Sequence, residues 1–414
     1  MMDQDTDVCV VGGGPAGLTL ALLLLRSGVR TTVVERSGSL EREFRGEILQ
    51  PGGMAVLHRL GVLDAAREHG GHEHDRFLFL QNDRVLINGD YRRLDTPWNY
   101  LLSIPQQHVL GELLEACRRY DGFTYLGGRK VTELLTDGGV VRGVVCDRPG
   151  GATVVTARCV VGADGRYSKV RRLAGIEAGR IEAFEHDVVW FKLRRSGPAL
   201  REVRIFHSGG NPMLAYTSGT DHLQLGWTLP HRRYGDLMKL GFPHLKQQIR
   251  AAAPPYADLI EEQLTGVRDL TLLDVFSGCA TEWVRDGLVL IGDSAHTHSP
   301  IGAQGINLAV QDAVVLHPIL VAALRAGSPS AASLRPFERI RRPHIGRMMK
   351  IQALQSKAMF SSGRVVSKIR PQLAAAVSRT PLYRPVMRQI AFGDRTVRVA
   401  DELFRPPVHA DQEV

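Results

Sequence analysis

A glycine-rich turn near the start of the chain lies between a β-strand pattern and an α-helix pattern. The run VVGGGPAG at 10–17 contains G-x-G-x-x-G at Gly12, Gly14 and Gly17, with Pro15 and Ala16 before the last glycine. Without a Cβ, the backbone can approach a pyrophosphate, and the N-terminus of the following helix offers free N–H groups and a partial positive charge. The turn therefore predicts a dinucleotide site.

A second β-branched run follows the helix and ends at Glu35, with Arg36 beside it. Strand, turn, helix and strand within 35 residues predict a right-handed crossover and a parallel sheet. An acidic residue at this position can accept both hydroxyls of an adenosine ribose. Glu35 therefore favours FAD or NAD(H) over a nucleotide with a 2′-phosphate, although a solvated carboxylate at a strand end would look the same.

Two later segments repeat the pattern of a strand that runs into a Gly-Asp or Asp-Gly turn. The first ends at Asp164-Gly165, and Ser168 is the expected N-cap of the next helix. Taken alone, this segment is also an ordinary strand–turn–helix. The second ends at Gly292-Asp293, where a carboxylate at the strand tip can accept a polyol hydroxyl. A loop and a helix start follow, with the residues Pro300, Gly302, Gly305, Ile306 and Asn307.

Composition excludes several other classes of protein. Of 414 residues, 44% are apolar and 23% are charged, which is typical of a globular chain. The net charge of +9 comes without zinc-ligand spacing, a basic helix or an aromatic platform, so no nucleic-acid partner is expected. The five scattered cysteines are interpreted as reduced thiols, and no metal site is proposed. The apolar run 18–25 is too short to cross a bilayer and the first residues are acidic, so we expect a cytoplasmic protein without membrane contact.

The order of patterns predicts an α/β chain with a discontinuous Rossmann-type domain. Residues 1–75, 99–181 and 269–350 are assigned to this nucleotide-binding domain. Short strands separated by Gly and Pro assign 76–98 and 182–268 to an inserted, mostly antiparallel substrate domain. Residues 351–414 are expected to form a helical C-terminal region, and the arginines 341, 342 and 347 are interpreted as the solvated face of a late helix.

Taken together, the three motifs resemble those of the FAD-dependent aromatic hydroxylases, the p-hydroxybenzoate hydroxylase-like single-component flavin monooxygenases. The resemblance covers roughly residues 5 to 350 and is most specific in 292–307. It implies that Glu35 holds the FAD ribose and that Asp293 holds the ribityl or pyrophosphate region. It further implies that the N–H groups of 302–307 face the pyrimidine edge of the flavin. It implies further FAD contacts at Arg45 and at Gln106, where the family more often has arginine, and it associates Asp164 and Gly165 with both FAD and NAD(P)H.

The implied reaction uses NADPH or NADH and dioxygen to hydroxylate an aromatic or similarly electron-rich small molecule. The apolar and aromatic residues of the substrate sheet suggest a hydrophobic substrate, such as one of the polyketide or quinone type. Pro300 would lie near the reactive face of the ring. No substrate base is identified: His186, His207, Tyr216 and His222 fall in the substrate sheet, and His296 and His298 are expected to pack the loop. A flavin-dependent reductase, a halogenase and a flavin-loaded metabolite-binding protein remain alternatives, although the W-x-W-x-I-P signature of halogenases is absent.

Overall fold

The computed structural model describes residues 2–41, 47–81, 84–148, 151–181, 186–195, 197–207, 211–360, 380 and 383–406. Arg45 lies outside these residues, as does the segment 361–379 of the predicted helical C-terminal region.

The described residues contain a mixture of strands and helices in alternating blocks. The strands are β1 Met2–Val11, β2 Thr31–Glu35, β3 Ile48–Leu49, β4 His72–His74, β5 Arg76–Gln81, β6 Arg84–Asp90, β7 Leu101–Ser103, β8 Phe123–Gly127, β9 Lys130–Asp137, β10 Val140–Arg148, β11 Gly151–Gly162, β12 Ala178–Ile181, β13 His186–Arg194, β14 Glu202–His207, β15 Met213–Ser218, β16 His222–Pro230, β17 Thr271–Leu273, β18 Ser277–Ala280, β19 Val284–Arg285, β20 Leu288–Leu290 and β21 His296–Thr297. The helices are α1 Pro15–Arg26, α2 Pro51–Arg59, α3 Leu63–Glu68, α4 Gln106–Arg118, α5 Lys169–Leu173, α6 Arg233–Lys239, α7 Phe242–Ala252, α8 Ala257–Gln263, α9 Gly305–Arg325, α10 Ala331–Phe360 and α11 Tyr383–Phe392.

The first sheet has the parallel order β20-β11-β1-β2-β8, extended by antiparallel β19, β10 and β9. Val10 in β1 pairs with Val161 of β11 on one side and with Val33 of β2 on the other. The three predicted motifs therefore follow neighbouring parallel strands. Because parallel strands end at the same edge of a sheet, this topology brings the motifs together, and the predicted Rossmann-type fold is confirmed.

The second sheet has the order β17-β13-β16-β15-β14-β5-β6 and is antiparallel except for the β14–β5 pair. One face packs on α7 and α8 through residues such as Phe191 and Trp227. The other face, called here the inner face, carries Val188, Trp190 and Tyr216, which share a core with Ile301. The mostly antiparallel character predicted for this part of the chain is confirmed, whereas the domain boundaries stay predictions.

Helices α9, α10 and α11 pack over the first sheet and extend to the second. Helix α9 has the length and apolar composition of a membrane span, but 72% of its apolar window is buried inside the molecule. It packs on α1, α2 and α10 and is thus a central core helix. Helix α11 contacts α2, and its Met387 and Ala391 pack in the inner-face core.

Candidate functional site

The glycine turn before α1 has a backbone that only glycine adopts easily. Gly12 has φ +113°, and a Cβ at this position would collide with the Ala163 carbonyl at the end of the neighbouring strand. A Cβ on Gly17 would collide with the Gly12 carbonyl. Gly14 caps α1 and Pro15 is its first residue, an arrangement that leaves the helix N-terminus open to a phosphate.

Glu35 lies against this turn, as its position at the end of β2 requires. Its Oε2 accepts a hydrogen bond from the Gly13 N–H at 2.7 Å, and its Oε1 accepts one from the Ser37 N–H at 2.9 Å. The side chain is buried, whereas the neighbouring Arg36 is exposed. The contacts fix the Glu35 carboxylate beside the open helix end, where an adenosine ribose would lie if the pyrophosphate bound at α1.

Asp164 joins the second motif to the third. Its Oδ1 accepts hydrogen bonds from the hydroxyls of Ser168 at 2.5 Å and Ser294 at 3.1 Å, and its Oδ2 accepts from the first N–H groups of α5. The Gly165 N–H donates to Ser294 Oγ at 3.0 Å. Ser168 caps α5 through the Arg171 N–H, as predicted. In this structure Asp164 thus holds two strand ends together, while a Cβ on Gly165 would meet only open space.

The 292–304 loop follows β20 and leads into α9. Gly292 has φ +58° and donates its N–H to Asp312 Oδ2 at 2.8 Å. The Asp293 carboxylate is partly exposed and lies 3.9 Å from Arg166 Nε. Further along, Gly302 and Ala303 both have positive φ, +74° and +50°, and the second is a strained conformation for alanine. The loop is therefore held in a defined, partly strained shape.

The N-terminus of α9 offers a second open helix end. Gly305 is exposed, and a Cβ added to it would meet no atom of the described part of the chain within 4 Å. Asn307 is buried, and its Oδ1 has no hydrogen-bond partner among the described residues. A 21-residue helix carries a partial positive charge at its N-terminus. A flat, electron-rich ring could lie against Gly305, because the open space would admit it and the partial positive charge of the helix N-terminus would attract it.

These observations fit a flavin dinucleotide, although the individual contacts stay predictions. The structure brings Gly12 to Gly17, Glu35, Asp164, Gly165, Gly292, Asp293 and the 302–307 segment to one edge of the first sheet. Pro300 is partly exposed within the 292–304 loop, and Gln106 is partly buried at the start of α4.

A buried ionic cluster lies behind the 292–304 loop. Asp312 Oδ2 accepts from His296 Nε2 at 2.6 Å, and its Oδ1 accepts from Arg341 Nε at 2.7 Å, with all three side chains at most 1% exposed. Burial would raise the pKa of the Asp312 carboxyl, but His296 and Arg341 outweigh burial and hold this pKa well below its usual range. The assignment of Arg341 to a solvated face was wrong, because its guanidinium is the partner of a buried carboxylate.

The cluster extends to the part of the loop around Pro300. His296 Nδ1 lies 3.0 Å from His298 Nε2, and His298 Nδ1 lies 3.2 Å from Gln352 Oε1. Gln352 Nε2 in turn donates to the carbonyls of Ser299 and Ile301 at 3.1 and 2.8 Å. Burial, followed by the nearby His296, lowers the pKa of His298 to about 3. Both histidines therefore pack the loop, as predicted.

The inner face of the second sheet presents an aromatic platform to the loop. Trp190 lies so close over Gly226 that a Cβ there would be 2.7 Å from its ring. Ile301 and Ala303 of the loop pack in the same core as Trp190. Sheet, loop and α11 thus contribute to one apolar cluster, called here the apolar compartment, beside the N-terminus of α9.

The four candidate bases in this sheet differ in position. Tyr216 lies on the inner face, where burial, and then Glu47, raise its pKa well above 10. The Tyr216 hydroxyl therefore stays protonated and is suited to donating a hydrogen bond. His186 begins β13, His207 ends β14 and His222 begins β16, so all three lie at strand ends.

One polar group that lies against the inner face was not predicted from the sequence. Glu47 is buried at the start of β3, where its Oε1 accepts from Lys192 Nζ at 2.6 Å and its Oε2 accepts from Ser218 Oγ at 2.6 Å. The only signal was a lysine in the otherwise apolar run of β13. These bonds connect the residue before β3 to β13 and β15 of the second sheet, at the polar end of the compartment.

A second acidic cluster lies at Asp187, His231 and Asp274, whose potential ligand atoms are within 4.8 Å of one another. Asp274 forms an ion pair with Arg180 and accepts from Tyr167, and Asp187 accepts from His231 Nδ1 at 2.7 Å. Protein partners thus account for the cluster.

Comparison with known proteins gives consistent matches. A family model described as FAD binding domain matches residues 5–352. The 6-methylpretetramide 4-monooxygenase of Streptomyces rimosus is 60% identical over 399 residues, which cover 96% of this chain and 95% of that protein. The para-nitrophenol 4-monooxygenase of Pseudomonas sp. strain WBC-3 is 27% identical over 340 residues, 79% and 80% of the two chains. The crystal structure of p-nitrophenol 4-monooxygenase from Pseudomonas putida DLL-E4 has a similar fold, with a TM-score of 0.79 at 22% identity, covering 95% of this chain and 100% of that one.

Proposed function

Because the chain belongs to the family of FAD-dependent aromatic hydroxylases, we propose that its substrate is a tetracycline-type polyketide intermediate related to 6-methylpretetramide. The observation that carries this proposal is the 60% identity to the named monooxygenase over nearly the full length of both proteins. We further propose NADPH or NADH as the electron donor.

The apolar compartment supports a flat, polycyclic substrate. The Trp190 ring covers Gly226, and aromatic side chains bind planar ligands through stacking and large apolar contact areas. At the polar end, Lys192 and the protonated Tyr216 can donate hydrogen bonds to phenolic oxygens. A polyphenol would thus find an apolar platform and polar contacts at one end.

The protein's contribution to the reaction is binding, orientation and exclusion of water. FAD supplies the redox and oxygen chemistry when bound. The open N-termini of α1 and α9 would hold its negatively charged groups, with Glu35 at the ribose. The packing of Ile301 and Ala303 against the inner face would help to exclude water from a substrate bound beside them.

The direct test combines the FAD-loaded protein with 6-methylpretetramide, NADPH or NADH, and ¹⁸O₂. The expected product is one oxygen atom heavier and carries the label, and the substrate should accelerate oxidation of the nicotinamide. An unlabelled product formed without dioxygen would favour a reductase, and FAD binding with no turnover would favour a metabolite-binding protein. Either result refutes the proposal.

Trp190→Ala tests the platform. We expect KM for the substrate to rise at least about tenfold, while FAD content stays unchanged, because a central buried aromatic contributes much of the binding energy in such sites. Trp98→Ala is the matched control, since Trp98 packs against the core of the first sheet. Equal effects of the two substitutions would contradict the assignment of the compartment.

A further inference from the structure

The chain of hydrogen bonds from Asp312 to Gln352 fixes which atoms must carry protons. Gln352 Nε2 donates to two backbone carbonyls, so the amide cannot be turned around, and Oε1 is the atom that faces His298. An amide oxygen only accepts hydrogen bonds. His298 Nδ1 must therefore carry a proton.

At the other end of these hydrogen bonds, the contact between Asp312 and His296 also requires a proton. Asp312 Oδ2 lies 2.6 Å from His296 Nε2, so a proton lies between them. A third proton lies between His296 Nδ1 and His298 Nε2, which are 3.0 Å apart. The three contacts therefore require three protons. Two neutral imidazole rings carry one N–H proton each, so the network holds one additional proton.

The surroundings of Asp312 and His298 exclude both residues as carriers of the additional proton. Asp312 also accepts from the Gly292 N–H and from Arg341, which keep it ionised. His298 has a pKa lowered to about 3, so it stays neutral and accepts through Nε2. The remaining carrier is His296.

The charge balance of the buried cluster agrees with this assignment. Arg341 Nη1 is 3.9 Å from Asp394, whose other ion-pair partner, His344, has a pKa lowered by burial and is neutral at pH 8. With a neutral His296, the side chains of Arg341, Asp312 and Asp394 would therefore sum to one negative charge. A proton on His296 neutralises the cluster, which lowers the cost of burying it.

We infer that His296 is an imidazolium ion held between Asp312 and a neutral His298, and that this charge makes the 292–304 loop a better site for the reduced, anionic form of FAD. His296 and His298 are thereby positioning residues, linked to the loop carbonyls on either side of Pro300 through Gln352. The inference requires bound FAD but does not depend on the substrate proposed above.

The protonation state can be measured directly by ¹⁵N NMR of the FAD-bound protein labelled at histidine, at pH 8. His296 should show two protonated ring nitrogens, and His298 should show one protonated and one bare nitrogen. The signals are assigned with His296→Gln and His298→Gln. Two neutral rings at this pH would overturn the inference.

The two variants also have opposite predicted effects on the flavin. In His298→Gln, the new amide can accept from His296 Nδ1 and donate to Gln352 Oε1, so the charge is retained and the flavin potential should stay unchanged. In His296→Gln the charge is lost, and the ratio of reduced to oxidised flavin at the wild-type midpoint potential should fall about tenfold, as expected for one charge in a medium of protein-like dielectric. His317→Gln is the control, since His317 is a buried histidine of α9 whose partner is Ser27.

An unchanged potential in His296→Gln, or an equal fall in both variants, would refute the assignment of the charge to His296. Should His296→Gln fail to bind FAD, the NMR spectrum and the potential of His298→Gln still decide the question. Failure of the substrate proposal would leave both measurements unaffected, because neither uses the substrate.

Discussion

Replacing Lys192 by methionine would remove the cation that faces Glu47, while the methionine fills much of the same space. The Glu47 side chain is 9% exposed and lies 2.6 Å from Lys192 Nζ, whereas Lys192 is 27% exposed. The substitution leaves a carboxylate buried against the second sheet, with Ser218 as its remaining side-chain partner in the described residues. An uncompensated buried charge is the expected cause of any loss of stability.

The magnitude follows from the burial of the two groups. Removing one partner of a fully buried pair costs about 3–5 kcal/mol, and the partial exposure of Lys192 brings the expected loss for Lys192→Met nearer to about 2–3 kcal/mol. Glu47→Gln should cost only about 1 kcal/mol, because Lys192 can turn toward water. The double variant, with Lys192→Met and Glu47→Gln, contains no unpaired charge. Its free energy of unfolding should therefore be about 1–2 kcal/mol higher than the sum of the two single effects predicts.

Urea unfolding of the FAD-bound protein, followed by tryptophan and flavin fluorescence, measures these free energies of unfolding. Lys239→Met is the matched control, since Lys239 is 80% exposed in its pair with Asp236 and should change stability little. Additive effects of the two single substitutions would show that the charges are not coupled, and the reasoning would then be wrong.

Three further substitutions test other parts of the structure. Gly12→Ala should give a protein that does not retain FAD, because the positive φ and the Ala163 carbonyl leave no room for a Cβ; absorbance of the purified protein measures this. Gly226→Val should displace Trp190 and raise the substrate KM, at a stability cost of about 1–3 kcal/mol, with FAD content preserved. Burial, and then Arg325, lower the pKa of His317 from 6.5 to about 4, so its contribution to stability is complete above pH 6.5 and is lost as the pH falls toward 4. His317→Gln should therefore reduce the slope of stability against pH in this window by about 1.4 kcal/mol per pH unit.

Each of these substitutions has a control at a site without the constraint. A Cβ added to Gly38 or Gly179 would meet no atom of the described residues within 4 Å, so Gly38→Ala should retain FAD and Gly179→Val should leave KM unchanged. His58→Gln, at a histidine whose side chain is 52% exposed, should preserve the pH slope. A yellow Gly12→Ala protein, an unaltered KM in Gly226→Val, or an unchanged slope in His317→Gln would each contradict the corresponding explanation.

The features that could be predicted from the sequence are those encoded by neighbouring residues. The approach of Gly17 to the Gly12 carbonyl and the Ser168 cap are contacts within a few residues, so local pattern and elementary stereochemistry are sufficient to predict them. The position of Glu35 at the turn follows from the same crossover, because β2 lies beside β1 in a parallel sheet. Local rules of this kind are enough to predict the fold class and the nucleotide edge.

The features that could not be predicted depend on pairs far apart in the chain. In the sequence, Arg341 resembles a surface arginine, because its buried partner Asp312 lies on the preceding helix. Glu47 and Lys192 are 145 residues apart, and nothing near either residue indicates the other. The role of His296 requires the proton requirements of Asp312 and Gln352 together. Charge burial of this kind is a property of the tertiary structure and leaves no periodic signal.

The parallel pairing of β5 with β14 has a consequence for how the chain is made. The β5–β6 hairpin leaves the ribosome long before its partner, since Arg76 pairs with Glu202, 126 residues later. At typical synthesis rates of about 5–20 residues per second, the β5 edge waits roughly 6–25 s for its neighbour. During that time Phe77 and Phe79 are exposed on a strand with one unpaired edge, so high expression rates should favour aggregation, and slower translation or added chaperones should raise the yield of native enzyme.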